Sequence, residues 1–394
     1  MQHQPELPLP TPDAQSANHS DRVASYIRKK IAAAGGQISF AEFMHHALYA
    51  PGLGYYSAGT TKFGAAGDFV TAPEVSPIFG RVVARQSAGA LVGLDQPDIL
   101  EFGAGSGRLA ADVLRALDEL DALPASYRIV EVSADLRERQ ERLLRAELPE
   151  LCGRVTWLDQ LPDSHRGVVL ANEVLDALPV ERFLKRGAGV AQLCVGVERD
   201  CFVMRDRPAP ANLADAVAAI EDDLGLTLPD GYVSEVCLAI PPWISGLGEL
   251  LQEGVVFLFD YGVSRREYYA GSRSAGWLRC HFRHHAHSDP LILPGIQDIT
   301  CWVDFTAAAT AAIDSGFDIA GFVSQAQFLL GGGLADELRA MSELPLTTQL
   351  ELSAQVKTLT LPGEMGENFK CLGLKRGALA APDVFAGADR TASL

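Results

Sequence analysis

Apolar positions along this chain follow two rhythms. Residues 21–34 and 40–49 carry them at helical intervals, as do residues 78–94, where Ile78, Val82, Val83, Ala90 and Leu91 share one stripe. Short apolar runs then alternate with amphipathic stretches. This predicts strands over 98–102, 127–130 and 155–158, with helices over 109–120 and 136–148 between them. The run 167–171 adds a fourth strand ending at Asn172-Glu173. Short strands separated by helices predict an α/β fold with a doubly wound, Rossmann-like parallel sheet.

Beyond residue 180 the period changes to two. Segments 182–185, 192–198 and 201–204 alternate around turns at Gly187-Ala-Gly189 and Arg199-Asp200, which predicts an antiparallel β insertion spanning about 180–232. A strand over 233–240, a helix over 243–252 and a buried strand over 254–259 follow, closing at Asp260-Tyr261-Gly262. Residues 263–300 read as loop, 299–316 and 324–341 as helical, and 369–374 as the last strand. The expected organisation is a disordered arm (1–20), an N-terminal helical cap with a lid loop (21–94) and a Rossmann-like core (95–262). A loop and helical insertion (263–345), strands completing the core (346–376) and a frayed tail (377–394) follow.

The glycine-rich turn carries the first chemical signal. Gly103, Gly105 and Gly107 follow the strand 98–102, and residues without Cβ let a ligand lie against the backbone. Glu131 closes the next strand at the interval where an acid meets ribose hydroxyls. The spacing is G-x-G-x-G rather than the dinucleotide G-x-G-x-x-G. Glu101 also sets a carboxylate at the head of the turn, where it repels phosphate and attracts ammonium or sulfonium. S-adenosylmethionine carries both cations and no phosphate. NAD, FAD and a purely structural turn are the alternatives.

Composition narrows the setting. The chain has 394 residues, 48% of them apolar, and 33 Lys plus Arg against 50 Asp plus Glu give a net charge of −17. Nonspecific attraction to nucleic acid or anionic lipid is disfavoured, and a cationic substrate suits the charge better, although acidity also serves solubility. Seven cysteines without a C-x-x-C pair suggest a reducing compartment. No apolar run approaches bilayer length, so no membrane insertion is expected. Residues 1–20 hold no Lys or Arg, unlike a transit peptide, and a bacterial cytoplasm is the expected location.

Several blocks carry a resemblance. Residues 40–56, Gly67-Asp-Phe-Val-Thr-Ala-Pro-Glu-Val-Ser-Pro-Ile-Phe-Gly80, residues 101–107, Asn172-Glu-Val-Leu-Asp-Ala-Leu-Pro179, Asp260-Tyr-Gly262, Pro294-Gly-Ile-Gln-Asp-Ile-Thr300 with Val303-Asp-Phe305, and Met365-Gly-Glu-Asn-Phe369 occur in the order found in MidA-type methyltransferases. The chain resembles that family over nearly its whole length beyond the arm. The resemblance implies a class I S-adenosylmethionine-dependent core and a protein-arginine acceptor. Mitochondrial members are complex I assembly factors, so a respiratory complex I subunit is an implied partner. It also implies Glu101 near the methionine ammonium, the three glycines under the cofactor, Glu131 at the ribose and Asp159 near the adenine edge. Asp159 reads equally well as a turn or helix cap.

Asn172, Glu173 and Asp176 leave a core strand at its carboxyl end, where open parallel sheets bind ligands. We read Asn172 as shared between cofactor and acceptor, and Glu173 with Asp176 as the acidic pair that would hold a guanidinium. Capping by Asp176 and a surface ion pair at Glu173 are the structural alternatives. Glu235 is either a third acceptor-binding acid or an outward-facing strand residue. The block holding Asp68, Thr71, Pro73, Glu74 and Ser76 is expected to lid the cofactor or the acceptor channel, with Ser76 and Pro77 also suited to start a helix. Gln297 and Asp298 could contact substrate, or Asp298 could cap a helix starting at Ile299. For Cys280, His281, His284, His285 and His287 a solvated or substrate-facing loop is favoured over zinc, and no metal is assigned. Two further functions remain open: a noncatalytic assembly factor that binds the cofactor, and a methyltransferase for another side chain or a small molecule.

Overall fold

The structure is a computed structural model and describes residues 9–57 and 70–394. Asp68 and the first part of its glycine-rich block lie outside the described residues, as do residues 1–8 of the expected arm. The chain divides into two compact units. One comprises Met1–Phe69, Asp176–Ile240 and Arg265–Trp302; the other comprises Val70–Leu175, Pro241–Ser264 and Val303–Leu394.

The second unit holds the large sheet. Its strands run in the order Asp318–Ser324, Phe369–Arg376, Leu251–Val263, His165–Asn172, Asp98–Phe102, Tyr127–Val130 and Val155–Leu158. The last five are mutually parallel, whereas Phe369–Arg376 is antiparallel to both of its neighbours. Val303–Asp304 adds a short parallel pairing to Leu251–Val263. Central strands are covered on both faces and read as continuous apolar runs: Val168, Val169, Leu170, Val255, Val256 and Phe257 are all fully buried. Helices Pro77–Leu91 and Arg108–Glu119 pack their apolar stripes into the same core. Ser76 accepts from Ile78 N and Pro77 occupies the first turn, so the proline block starts a helix as its sequence suggests.

Several outer elements differ from the sequence expectation. The helix expected over 21–34 covers Ala14–Ala33 and so begins inside the expected arm, because Asp13 caps it and Val23, Ala24, Ile27 and Ile31 are buried along one stripe. Helix Leu346–Thr360 and strand Asp318–Ser324 emerge without a strong pattern in the sequence. The stretch 324–341 splits into Gln325–Gly331 and Leu334–Met341 around Gly333, whose φ is 115°. Residues 377–394 are not wholly frayed: Val384 and Phe385 are buried, and Asp389 accepts from Phe322 N. The Phe385 ring occupies the space that side chains at Gly321 and Gly373 would fill.

The first unit is built on antiparallel sheet. Gln37–Ser39, Gly189–Glu198, Glu181–Arg186 and Val233–Val236 pair in that order, with Cys201–Pro208 on the other edge of Gly189–Glu198. Helix Ala211–Leu224 interrupts the β insertion. Residues 263–300, expected as loop, contain a three-stranded sheet of His285–His287, Leu278–Phe282 and Asp298–Cys301. Leu278, Cys280 and Phe282 are buried and alternate with Arg279 and His281, a period of two that runs over only five residues. Ile299 therefore lies in a strand, and the following helix is Phe305–Asp314, capped by Asp304 through Thr306 N and Ala307 N.

Candidate active site

The glycine turn belongs to the second unit and is shaped by left-handed backbone at Gly103 (φ 62°), Gly105 (φ 55°) and Gly107 (φ 88°). Gly107 caps the Arg108–Glu119 helix, and a Cβ there would lie 3.2 Å from Cα and Cγ of Gln140. Glu101 lies one residue before the end of its strand, is 2% exposed, and accepts a 2.8 Å hydrogen bond from the Tyr127 hydroxyl. Burial pushes its carboxyl up to about 7; the Tyr127 bond opposes this and the Glu131 charge adds to it. Among the described residues no Lys, Arg or His pairs with Glu101. A buried carboxylate whose only hydrogen-bond donor is a phenol is costly unless a cation reaches it.

Glu131 lies just past its strand. Its Oε1 accepts from Ser133 N at 2.9 Å and its Oε2 from Gln140 Nε2 at 3.0 Å. Val132, immediately after it, is 77% exposed, an apolar surface beside the acid that suits a flat base. Sequence reasoning missed Val132, Tyr127, Gln140 and Trp157. Gln140 left a weak signal, a polar residue at a core position of the 134–147 helix. Asp159 is 86% exposed at its side chain and pairs with Arg137 at 2.7 Å.

The short helix Ala72–Val75 brings Glu74 to the turn, where the Ser106 hydroxyl donates to its carboxylate. Ser106 Oγ also accepts from Arg108 N at 3.3 Å. Thr71 precedes that helix without a side-chain capping bond, and Pro73 is buried. Glu74 is thus joined to the glycine turn.

At the carboxyl end of His165–Asn172, Glu173 adopts φ 55°, a left-handed conformation that costs a non-glycine residue free energy and clusters at functional sites. Its N–H donates to Phe259 O at 2.8 Å. Asn172 Nδ2 donates to Glu173 Oε1 at 3.2 Å, while Asn172 Oδ1 is buried without a hydrogen-bond partner among the described residues. Asp260 ties the neighbouring strand end to the same loop by accepting from Leu175 N at 3.0 Å.

Asp176 and Glu235 belong to the first unit. Asp176 is 4% exposed and its carbonyl accepts from Cys301 N. Glu235 is fully buried rather than outward-facing: Oε1 meets Arg182 Nε at 3.0 Å and Oε2 accepts from Trp277 N at 2.8 Å. Both oxygens are engaged inside the protein, whereas the sequence offered an acceptor-binding acid or an outward-facing strand residue. Asp298, in a strand instead of at a helix start, accepts from the Tyr56 hydroxyl at 2.9 Å, and Gln297 donates to Pro290 O at 3.0 Å. His281 and His287 lie on the paired strands, with burial pushing His281 down to about 4. No group of three or more His, Cys, Asp or Glu side chains suited to a metal occurs among the described residues. Nor does any described helix have the length and apolarity to cross a membrane.

Residues 82–323 match the family described as "Putative S-adenosyl-L-methionine-dependent methyltransferase". The chain belongs to this family. It is 30% identical over 95% of its length to the Drosophila melanogaster protein arginine methyltransferase NDUFAF7 homolog, mitochondrial, covering 90% of that protein. It is 27% identical over 93% of its length to the Danio rerio protein arginine methyltransferase NDUFAF7, mitochondrial, again covering 90%. A Burkholderia thailandensis structure bound to S-adenosyl-homocysteine matches at 41% identity and a TM-score of 0.93, over 98% of this chain and all of that one. The fold is that of the class I methyltransferases, and the chain is an S-adenosylmethionine-dependent methyltransferase. Its residues fit the cofactor: a buried carboxylate without a cationic partner among the described residues, a turn open for lack of Cβ, an exposed apolar residue beside an acid, and a buried amide oxygen with no donor among the described residues.

Proposed function

We propose that this enzyme methylates an arginine side chain of a protein partner, a respiratory complex I subunit being the partner that the family resemblance implies. The observation that carries the reading is the end of the His165–Asn172 strand. There Glu173 is held in left-handed backbone beside Asn172, whose buried Oδ1 has no hydrogen-bond partner among the described residues. The names of the relatives and the acidic balance of the chain support a guanidinium acceptor.

Bound S-adenosylmethionine supplies a methyl group on a sulfonium, open to in-line displacement. Glu101 would hold the ammonium, the glycine turn would lie along the nucleoside, Glu131 would take the ribose hydroxyls and Val132 would pack on the base. Glu74, anchored to Ser106, closes over this end. A guanidinium is a weak nucleophile because its charge is delocalised and its pKa lies above about 12. Glu173 would pin the charge on part of the fork, orient the remaining nitrogen and take the proton released as the N–C bond forms and the S–C bond breaks, the sulfonium leaving as a neutral thioether. Asn172 Oδ1 accepts a hydrogen bond from the bound partners and limits their rotation. The free cysteines suit a reducing compartment, which for this chain we take to be a bacterial cytoplasm.

Labelled methyl transfer into a lysate, followed by mass spectrometry of the modified residue, tests the proposal. Label on arginine of a protein is the expected result. Label on another side chain or on a small molecule would refute the acceptor, and absence of label despite S-adenosylhomocysteine binding would favour a noncatalytic assembly factor.

A further inference from the structure

Gln140 belongs to none of the recognisable motifs, yet it joins three parts of the site. It is fully buried on the Ala134–Glu147 helix. Its Nε2 donates to Gly105 O at 2.9 Å and to Glu131 Oε2 at 3.0 Å, and its Oε1 accepts from Trp157 Nε1 at 2.8 Å. Both amide protons and the carbonyl are therefore used, which fixes the amide plane without a net charge. Gly107 packs against the same residue so closely that a Cβ would have only 3.2 Å to its Cα. The glycine turn, the acid after Tyr127–Val130 and the aromatic residue of Val155–Leu158 are thereby tied to one side chain.

We infer that Gln140 is a positioning residue that sets ribose selectivity, holding the Glu131 carboxylate at a fixed place relative to the glycine turn so that the site favours an intact vicinal diol. The inference rests on the assignment of Glu131 to the ribose. A carboxylate held only through Oε1 by Ser133 N can turn its other oxygen to solvent when a hydroxyl is missing. One held from behind is left with an unmet acceptor, and the deoxy ligand bears that penalty.

Calorimetry with S-adenosylhomocysteine and its 2′-deoxyribose analogue tests this on wild type, Gln140→Glu, Gln140→Leu and Glu131→Gln. Gln140→Glu is nearly isosteric and keeps the acceptor for Trp157, and in its ionised form it lacks both donors. Wild type is expected to favour the ribose ligand by on the order of ten- to a hundredfold. That ratio is expected to shrink to roughly two- to threefold in both Gln140 variants. In Gln140→Glu it should recover as pH falls, because a protonated carboxyl can again donate to Glu131, a response that a filler of space would not give. Equal weakening of both ligands with the ratio intact overturns the proposal. A wild type that fails to discriminate, or a Glu131→Gln protein that discriminates fully, overturns the ribose assignment of Glu131 and this inference with it.

Discussion

Glu101 and Glu235 are both strand carboxylates, are both almost completely buried, and are both pushed upward in pKa by desolvation. Their surroundings separate them. Glu235 sits in the antiparallel sheet of the first unit against Arg182, with a backbone N–H on its second oxygen. Glu101 sits near the end of a parallel strand in the second unit, where among the described residues only the Tyr127 hydroxyl donates to it. The first is internally compensated; the second is suited to a cation brought by a ligand. Burial of an acid does not by itself mark a binding site, and the identity of its partner makes the distinction.

The largest expected effect breaks the compensated member. Arg182→Met strands Glu235 as a buried charge and should cost about 3–5 kcal/mol of unfolding free energy in urea denaturation, with much of the loss recovered by adding Glu235→Leu. A smaller effect is expected at Glu101. Glu101→Gln should weaken S-adenosylhomocysteine binding by roughly ten- to a hundredfold in calorimetry, with the protein still folded.

Titration sharpens the contrast. Glu101's carboxyl, at about 7 when folded against an ordinary 4.5, holds its proton more tightly in the folded state. Its contribution to stability is complete below the unfolded value and is lost as pH rises through about 7. Only the ionised form accepts an ammonium, so S-adenosylhomocysteine affinity should rise about tenfold between roughly pH 6 and 8 and should be flat over that window in Glu101→Gln. The smallest effect belongs to Asp159, whose pair with Arg137 is exposed. Asp159→Ala should change stability by less than about 1 kcal/mol, and a much larger change in nucleoside affinity would mark it as an adenine contact.

The legible parts of the chain were those where local pattern and local chemistry coincide. The strands Asp98–Phe102, Tyr127–Val130 and Val155–Leu158 stand where their apolar runs place them, since short buried strands are bounded by turn residues that the sequence displays. The strands around His281 and His287 were hidden because they are short: Leu278–Phe282 alternates over only five residues and His285–His287 has three, inside a stretch rich in Arg, His, Gly and Pro. The helix over Leu346–Thr360 was hidden because its apolar residues are spread around it, with Leu346 and Leu350 exposed and Leu359 buried. At the site, Gly103, Gly105, Gly107, Glu101 and Glu131 were visible as residue types at telling intervals. Tyr127, Gln140 and Trp157 were not, because each acts through a partner distant in sequence.

The sequence by itself determined the parallel sheet, the glycine turn and the acids beside it, because backbone freedom and hydrophobic period are properties of neighbouring residues. Only the tertiary structure decided which buried acid met an arginine and which met a phenol, and that one glutamine would bind the turn to Glu131. Those outcomes depend on side chains brought within hydrogen-bonding reach by the packing of separate strands and helices, which no local pattern encodes.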